Sequence, residues 1–355
     1  MKLILDNIIF SLQKWGGISV YWSELLKRID QLEQDDTYFF LEVKKKQISS
    51  SLPLQLSQVI NLVKSNNPLF LVEQYRNPVP ILKSKHIFHS SYYRVSRNPL
   101  SRNITTVHDF TYETHFSGFK KWIHIFQKSR ALKKSNGIIC ISEYTKDLMF
   151  KLYPFTKNKH VEVIYNGISE NFISEEKIKF DLPFEKNKYI LFIGDRKSAY
   201  KNFKLTCKVV KNINKPLVIV GGGEITSSEI HFLKGIKFHT FNFLEEKQLK
   251  EVYRNAFCLL YPSVSEGFGI PILEAQICRC PVVTSNKTCI PEISGGYAEM
   301  IDELNVSNLS SAIIKLEDIE YRNFKTEKGK ENALKFHWQS TIEKTFLFYK
   351  KILEL

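Results

Sequence analysis

The strongest constraint on this chain is an alternation. Short runs rich in β-branched and aromatic residues recur between helix-length stretches from one end to the other. Strands spaced by helices cannot pair through tight hairpins, so the alternation predicts parallel sheets with crossover helices. The strand candidates in the first half are Lys2–Ile9, Tyr38–Val43, His86–His89, Ile104–Val107 and Gly137–Ile141. The series restarts with Tyr189–Ile193, Leu217–Val220, Ile236–Phe241, Phe257–Tyr261 and Pro281–Thr284. Helical spacing covers Val20–Ile29, Phe119–Lys134, Asn202–Lys211, Glu245–Arg254, Pro271–Cys278 and Val306–Leu316. No fixed-period repeat or low-complexity tract interrupts them.

A chain of 355 residues has room for two domains at roughly 150 residues each. The polar stretch Asn166–Lys188 separates the two strand series and is the expected boundary. Two doubly wound halves would leave a cleft, and ligands bind beyond the carboxyl ends of parallel strands. That arrangement suits an enzyme with two substrates, one per half. A single larger α/β domain carrying an insertion is the alternative.

Composition narrows the class. With 43% hydrophobic and 25% charged residues, the chain is neither disordered nor fibrous. The six cysteines lie in apolar contexts, and the Cys278/Cys280 spacing is neither a redox nor a zinc motif; all six read as reduced, buried thiols. No apolar run approaches the ~18 residues of a membrane span. The opening MKLILDNIIF carries Asp6 where a signal peptide is apolar, so the expected location is the cytoplasm.

The densest chemistry lies in Tyr261–Ala275, YPSVSEGFGIPILEA. A strand runs into a small-residue loop and then into a helix opening near Ile270 and Pro271, where an early proline is favoured. Gly267 and Gly269, flanking Phe268, let backbone approach a ligand, and the helix start offers free N–H groups to an anion. Glu266 in the loop and Glu274 in the helix are acceptors suited to sugar and ribose hydroxyls. Beyond the strand at Tyr189–Ile193 lie Arg196 and Lys201, a guanidinium fork and a point charge suited to a diphosphate. Gly16 and Gly17 follow the first strand, where their N–H groups could cradle phosphate. His108 ends a strand and joins no Ser/His/Asp or Cys/His arrangement.

The Glu266–Glu274 string closely resembles the E-x7-E signature of retaining GT-B glycosyltransferases, specifically glycosyltransferase family 4, and the chain is similar to bacterial polysaccharide and O-antigen mannosyltransferases. The likeness extends in order along the chain. It takes in Trp15-Gly16-Gly17-Ile18, Val107-His108-Asp109, Ile141–Thr145, Val163–Ile168, Ile193-Gly194-Asp195-Arg196 through Lys201-Asn202, and Val218–Gly223. The resemblance implies an α/β GT-B architecture: two doubly wound, Rossmann-like domains facing a central cleft, with the C-terminal helix crossing back to the first. It implies an acceptor domain of residues 1–168 plus 339–355 and a nucleotide-sugar donor domain of residues 169–338. In the implied roles, Arg196 and Lys201 stabilise the departing diphosphate, and Glu266 and His108 lie beside the donor sugar. Glu274 holds the ribose, and Gly16, Gly17, Asp195, Asn242, Gly267, Phe268, Gly269 and Ile270 complete the donor site. Asn242 stands where a glycine is common, and Gln276–Pro281 replaces the usual Met-Ala-x-Gly-x-Pro. Glu292 matches a further recurrent position whose role is as readily structural. No metal-binding pattern is present, and no metal or other cofactor is expected, the Arg/Lys pair standing in for one.

The net charge of +14 is unevenly spread. Residues 1–170 hold 24 Lys and Arg against 14 Asp and Glu, and the remainder 27 against 23. Residues 118–159 carry ten basic residues against Glu143 and Asp147 alone, and Lys83–Arg102 adds five with no acid. Tyr92, Tyr93, Phe119, Trp122 and Phe126 interleave there. Such a surface suits peripheral contact with an anionic membrane; a solvated Lys-rich face is the plainer reading. No helix-turn-helix, zinc finger or RNP motif supports nucleic acid. In Lys335–Leu355, Trp338, Ile342, Phe346, Tyr349 and Leu353 fall on one helical face. The expected activity is hexosyl transfer from a nucleotide-diphosphate sugar, GDP-mannose or a related GDP-sugar first and a UDP-sugar second. The acceptor would be a glycan or lipid-linked hydroxyl at the inner face of the cytoplasmic membrane. The alternatives are a non-catalytic sugar-nucleotide-binding protein and a basic nucleic-acid-binding protein.

Overall fold

Parallel pairing organises both halves of the chain. The computed structural model describes residues 1–6, 8–12, 16–29, 37–43, 60–65 and 82–355. It divides into a first unit, Met1–Asn166 with Trp338–Leu355, and a second, Gly167–His337. In the first unit, β1 (Lys2–Asp6), β2 (Thr37–Val43), β3 (Ile60–Ser65), β4 (His86–His89), β5 (Ser101–Val107), β6 (Gly137–Cys140) and β7 (His160–Val163) form one sheet. Their order is β3-β2-β1-β4-β5-β6-β7. In the second, β8 (Ile190–Ile193), β9 (Leu217–Val220), β10 (Phe238–Phe241), β11 (Cys258–Tyr261), β12 (Val282–Ser285) and β13 (Glu299–Ile301) follow the order β10-β9-β8-β11-β12-β13. Every adjacent pair in both sheets is parallel. Winding reverses between β1 and β4 and again between β8 and β11, the doubly wound pattern in which a crevice opens at the reversal.

The first strand is shorter than the sequence pattern predicts. It ends at Asp6, and Ile8 and Ile9 turn into a helix, Ile8–Leu12, where both are buried. Asp6 supplies the reason. Its buried carboxylate accepts hydrogen bonds from Ser90 Oγ at 2.7 Å and from the Ser91 N–H at 2.8 Å, and it pairs with Arg94 at 3.1 Å. An apolar run of four or five residues carries no information about where such a polar anchor stops it.

The polar stretch 166–188 is not a free linker. Within it the helix Glu170–Ile173 packs Phe172 against Tyr253 at 6.0 Å between ring centres. Ser169 Oγ and Asn171 Nδ2 each donate to Glu246 at 2.6 Å, and Lys250 Nζ donates to the Asn171 carbonyl at 2.8 Å. This segment is part of the second unit, docked on helix Glu246–Asn255. Helix Ile319–Ala333 has no counterpart in the sequence reading because its polar residues run around every face. It backs helix Ile270–Ile277 through a buried network: Asn332 Nδ2 donates to Gln276 Oε1 at 3.0 Å, and Gln276 Nε2 to the Ser294 carbonyl at 2.9 Å.

Arg279 has a φ of +55°, a left-handed conformation that costs an L-residue roughly 1–2 kcal/mol. Its guanidinium reaches Glu327 at 2.6 and 3.1 Å on helix Ile319–Ala333, which offsets part of that strain. All six cysteines are free and buried. No helix among the described residues is long and apolar enough to cross a membrane.

The C-terminal helix Trp338–Glu354 belongs to the core of the first unit. Trp338, Ile342, Phe346, Tyr349 and Ile352 pack with Trp22, Leu25 and Leu26 from helix Gly17–Ile29. Tyr349 is hydrogen-bonded to His89 Nδ1 at 2.6 Å, fixing the helix to the end of β4. Backbone and helix meet most closely at Gly137, where a Cβ would lie 2.8 Å from Ile352 Cγ1 and 2.9 Å from the Phe348 ring. Overpacking of this kind costs about 1–3 kcal/mol. Gly137→Ala should therefore lower the thermal midpoint by several degrees, measured by calorimetry, while Gly17→Ala, with nothing within 4 Å of its Cβ, should leave it nearly unchanged.

Candidate active site

The reversal between β8 and β11 places two strand-end loops side by side. The first leaves β8 through Gly194, passes Asp195 and Arg196, and makes a short turn at Ala199–Lys201 before helix Phe203–Asn212. The second leaves β11 at Tyr261 and runs to helix Ile270–Ile277. They are laced together: Asn202 Nδ2 donates to the Pro262 carbonyl at 2.8 Å and the Val264 N–H to the Tyr200 carbonyl at 2.9 Å.

That lacing brings Lys201 against Glu266. Nζ donates to Glu266 Oε1 at 2.6 Å and to the Tyr261 hydroxyl at 2.7 Å, and it lies 4.7 Å from the centre of the Tyr261 ring. Tyr261 in turn donates to Glu266 Oε1 at 2.7 Å. Burial and the Glu266 charge hold the Tyr261 phenol well above its ordinary range, so it remains a donor at neutral pH. Both charged side chains are only 13% exposed. The result is a pre-positioned cation whose charge is balanced by a carboxylate until an anion competes for it.

Glu274 stands apart from that balance. Its Oε2 accepts the Tyr253 hydroxyl at 2.8 Å, and it forms no ion pair among the described residues. Burial, reinforced by Glu246, pushes its carboxyl up to about 7. Gly269 caps the helix that carries it with φ +86°, a left-handed conformation readily available to glycine. Phe268 is buried, and Phe336 meets it edge-on at 6.0 Å. Gly267 and Ile270 are partly exposed on the loop and the first turn of that helix.

Arg196 departs from the expected clamp. Its side chain is buried, and its donors are spent on protein: Nε on Glu229 at 2.8 Å, Nη1 on the Gly221 carbonyl, and Nη2 on the carbonyls of Gly223 and Glu224 at 2.8 and 3.1 Å. A buried guanidinium needs such partners. The left-handed turn at Gly221, Gly222 and Gly223 turns its carbonyls inward to provide them. A Cβ on Gly222 would lie 2.8 Å from Nη1. In this geometry Arg196 organises the loop after β9, and Lys201 is the cation of the expected pair that stands at Glu266.

The remaining candidates divide between the units. Asp195 folds its own loop, accepting from the Lys197 N–H at 3.1 Å and Ser198 Oγ at 2.7 Å. Asn242 is exposed and donates to Glu224. Gly16, Gly17 and His108 belong to the first unit. Gly16 and Gly17 lead helix Gly17–Ile29, with Ser19 Oγ bonded to the Gly16 carbonyl at 2.9 Å; Trp15 lies outside the described residues. His108 is buried at the end of β5, edge-on to Tyr21 at 5.1 Å, and its Nε2 has no hydrogen-bond partner among the described residues. Burial lowers it to about 4, so the ring is neutral at pH 7. Among the described residues no group of three His, Cys, Asp or Glu side chains could hold a metal. The sequence reading assigned no role to Tyr253 or to Asn202. The first is 21 residues from the carboxylate it serves, and the second works through a backbone carbonyl 60 residues away. Tyr261 opens the motif itself, which was its only signal.

Two doubly wound parallel sheets, the second with a Lys–Glu pair where its winding reverses, define a two-unit α/β protein. Comparison with known families resolves it. A model described as Glycosyltransferase Family 4 matches residues 15–172, and one described as Glycosyl transferases group 1 matches residues 174–335. The chain belongs to glycosyltransferase family 4. It is 26% identical over 275 residues to the O-antigen chain mannosyltransferase B of Escherichia coli, covering 71% of each chain. It is 28% identical over 232 residues to the O-antigen chain mannosyltransferase RfbU of Salmonella typhimurium, covering 62% of this chain and 63% of the relative. Its fold is that of GT-B structures. Sucrose-phosphate synthase from Thermosynechococcus elongatus matches with a TM-score of 0.76 at 14% identity over 100% of this chain and 99% of that one. Anabaena HepE in complex with UDP-glucose matches with a TM-score of 0.71 at 15% identity over 99% and 100%.

The raised Glu274 carboxyl has a consequence for stability. The native state binds its proton more tightly than the unfolded chain, so this contribution is full below about 4.5 and is lost as pH rises toward 7. Glu274→Gln should therefore unfold with the wild type at pH 5 and outlast it at pH 8 by on the order of 2 kcal/mol, read from thermal unfolding at the two pH values.

Proposed function

We propose that this chain is a retaining hexosyltransferase that draws on a nucleotide-diphosphate sugar, GDP-mannose or a related GDP-sugar before a UDP-sugar. The acceptor is a hydroxyl of a lipid-linked or oligosaccharide glycan in cell-surface polysaccharide assembly. The observation that carries the reading is the Lys201–Tyr261–Glu266 cluster at the reversal of the second sheet, followed by a helix whose Glu274 forms no ion pair among the described residues. A buried carboxyl with acceptor capacity left beyond its bond to Tyr253 suits the paired hydroxyls of a ribose, and the Lys201 cation suits a diphosphate. The mannosyltransferase relatives and the UDP-glucose complex of HepE support this choice of chemistry.

In the proposed reaction the second unit holds the donor and the first holds the acceptor. The bond from the anomeric carbon to the diphosphate oxygen breaks as the acceptor oxygen attacks from the same face. The acceptor proton passes to the departing diphosphate. Lys201 then shifts its hydrogen bond from Glu266 toward the growing phosphate charge, and the freed Glu266 faces the sugar. No protein nucleophile, metal or other cofactor takes part: Lys201 supplies positive charge where it develops. Arg196 acts by fixing the Gly221–Glu224 loop, and the neutral imidazole of His108 has a ring nitrogen available to a sugar hydroxyl. The enzyme works from the cytoplasm, peripherally on the inner face of the membrane.

A thermal-shift screen of GDP-, UDP-, ADP- and dTDP-sugars tests the donor. A ligand at a hundred times its dissociation constant adds about 2.7 kcal/mol to native stability. GDP-mannose should raise the midpoint most, and Lys201→Ala should abolish most of that rise. A screen in which no nucleotide sugar moves the wild-type midpoint overturns the reading.

A further inference from the structure

Helix Phe119–Lys134 carries the most exposed aromatic cluster in the described chain. Phe119, Trp122 and Phe126 are 79%, 66% and 69% exposed, and Phe116 just before them is 46% exposed. At helical spacing Arg130 and Lys133 continue the same stripe toward the helix end. Tyr92 and Tyr93, which the sequence pattern grouped with them, are not part of it: Tyr93 is buried and Tyr92 half-buried.

The helix cannot roll to hide these rings. On its opposite face the buried Lys128 donates to the Asp109 carbonyl at 2.8 Å and to Glu113 at 2.9 Å. His124 stacks on Tyr112 with centres 3.9 Å apart, and Gln127, Ala131 and Leu132 are buried. The rings are held outward by a firmly anchored face.

Contiguous exposed aromatic surface signals an interaction site. Three rings on one exposed helix face offer on the order of 400 Å², about half of what one partner contributes to a standard protein interface. Their cationic continuation and the lack of any acidic residue from Gly118 through Ser142 select an anionic surface. A bilayer with anionic headgroups needs no matching shape; it accepts aromatic rings at the interface and lysine or arginine beside them.

We propose that the Phe119–Trp122–Phe126 stripe, with Arg130 and Lys133, is the surface by which this protein lies on an anionic lipid bilayer. The proposal rests on the peripheral-membrane part of the function proposed above and gives it an address.

The test is co-sedimentation of the full chain with vesicles of phosphatidylglycerol and phosphatidylcholine, against phosphatidylcholine alone. Wild type should bind the mixed vesicles at least tenfold more tightly than the neutral ones. Phe119→Ser with Trp122→Ser and Phe126→Ser should lose tenfold or more, and Arg130→Glu with Lys133→Glu should lose the preference for phosphatidylglycerol. Both variants should keep the wild-type midpoint shift with GDP-mannose, which shows that they fold and that the donor site is separate. Three outcomes overturn the proposal: no vesicle binding by wild type, unweakened binding by both variants, or a wild-type dimer that the aromatic variant makes monomeric. Absence of vesicle binding by the wild type, with its donor shift intact, removes the docking surface alone. Vesicle binding without any donor shift removes the donor reading alone.

Discussion

The reversal of winding between β8 and β11 is the constraint on which the second unit's chemistry depends. Parallel strands deliver all their following loops to one edge of a sheet, and at a reversal neighbouring loops lead to helices on opposite faces. The loops after Ile193 and Tyr261 therefore lie beside each other without a helix covering them. Lys201 and Glu266, 65 residues apart in sequence, meet at 2.6 Å for that reason. The ties from Asn202 to Pro262 and from Val264 to Tyr200 make the meeting rigid.

Charge accounts for the division of labour around that crevice. Arg196 and Lys201 lie five residues apart, yet one is wholly consumed by Glu229 and a run of carbonyls while the other stands at the site, balanced by one carboxylate. Burying a cation is costly unless every donor is matched; Arg196 meets that demand and becomes part of the scaffold. Lys201 meets it only with a carboxylate and a phenol, both of which a phosphate could replace. Glu274 is the opposite case, a buried acid that forms no ion pair among the described residues, and burial raises its proton affinity.

How much of this was legible in the sequence depended on whether a feature was local. The two strand series were readable from β-branched runs, and Glu266, Gly269 and Glu274 from a loop and helix start whose residue types have few other uses. Features fixed by distant partners were not. Asp6 ends β1 through serines more than 80 residues away, and the segment after Asn166 docks through Glu246 and Lys250 rather than through any pattern of its own. Arg196 read as a free cation because most of its consumers are the carbonyls of Gly221 to Glu224, which leave no side-chain trace, and the other, Glu229, lies 33 residues on. Helix Ile319–Ala333 had no apolar stripe, although it supports Gln276 and thereby the helix of Glu274. The strands Ile60–Ser65, His160–Val163 and Glu299–Ile301 are edge strands, whose polar positions break the continuous apolar run that marks interior parallel strands.

The central claim, that the chain moves a sugar intact and with its configuration kept, is tested most directly by magnetic resonance of the product. GDP-mannose labelled at the anomeric carbon is incubated with the enzyme and a lipid-linked oligosaccharide acceptor. The account expects the label in a new glycosidic bond with the configuration it had in the donor. Label in a bond of inverted configuration, or recovered only as free sugar, would contradict it.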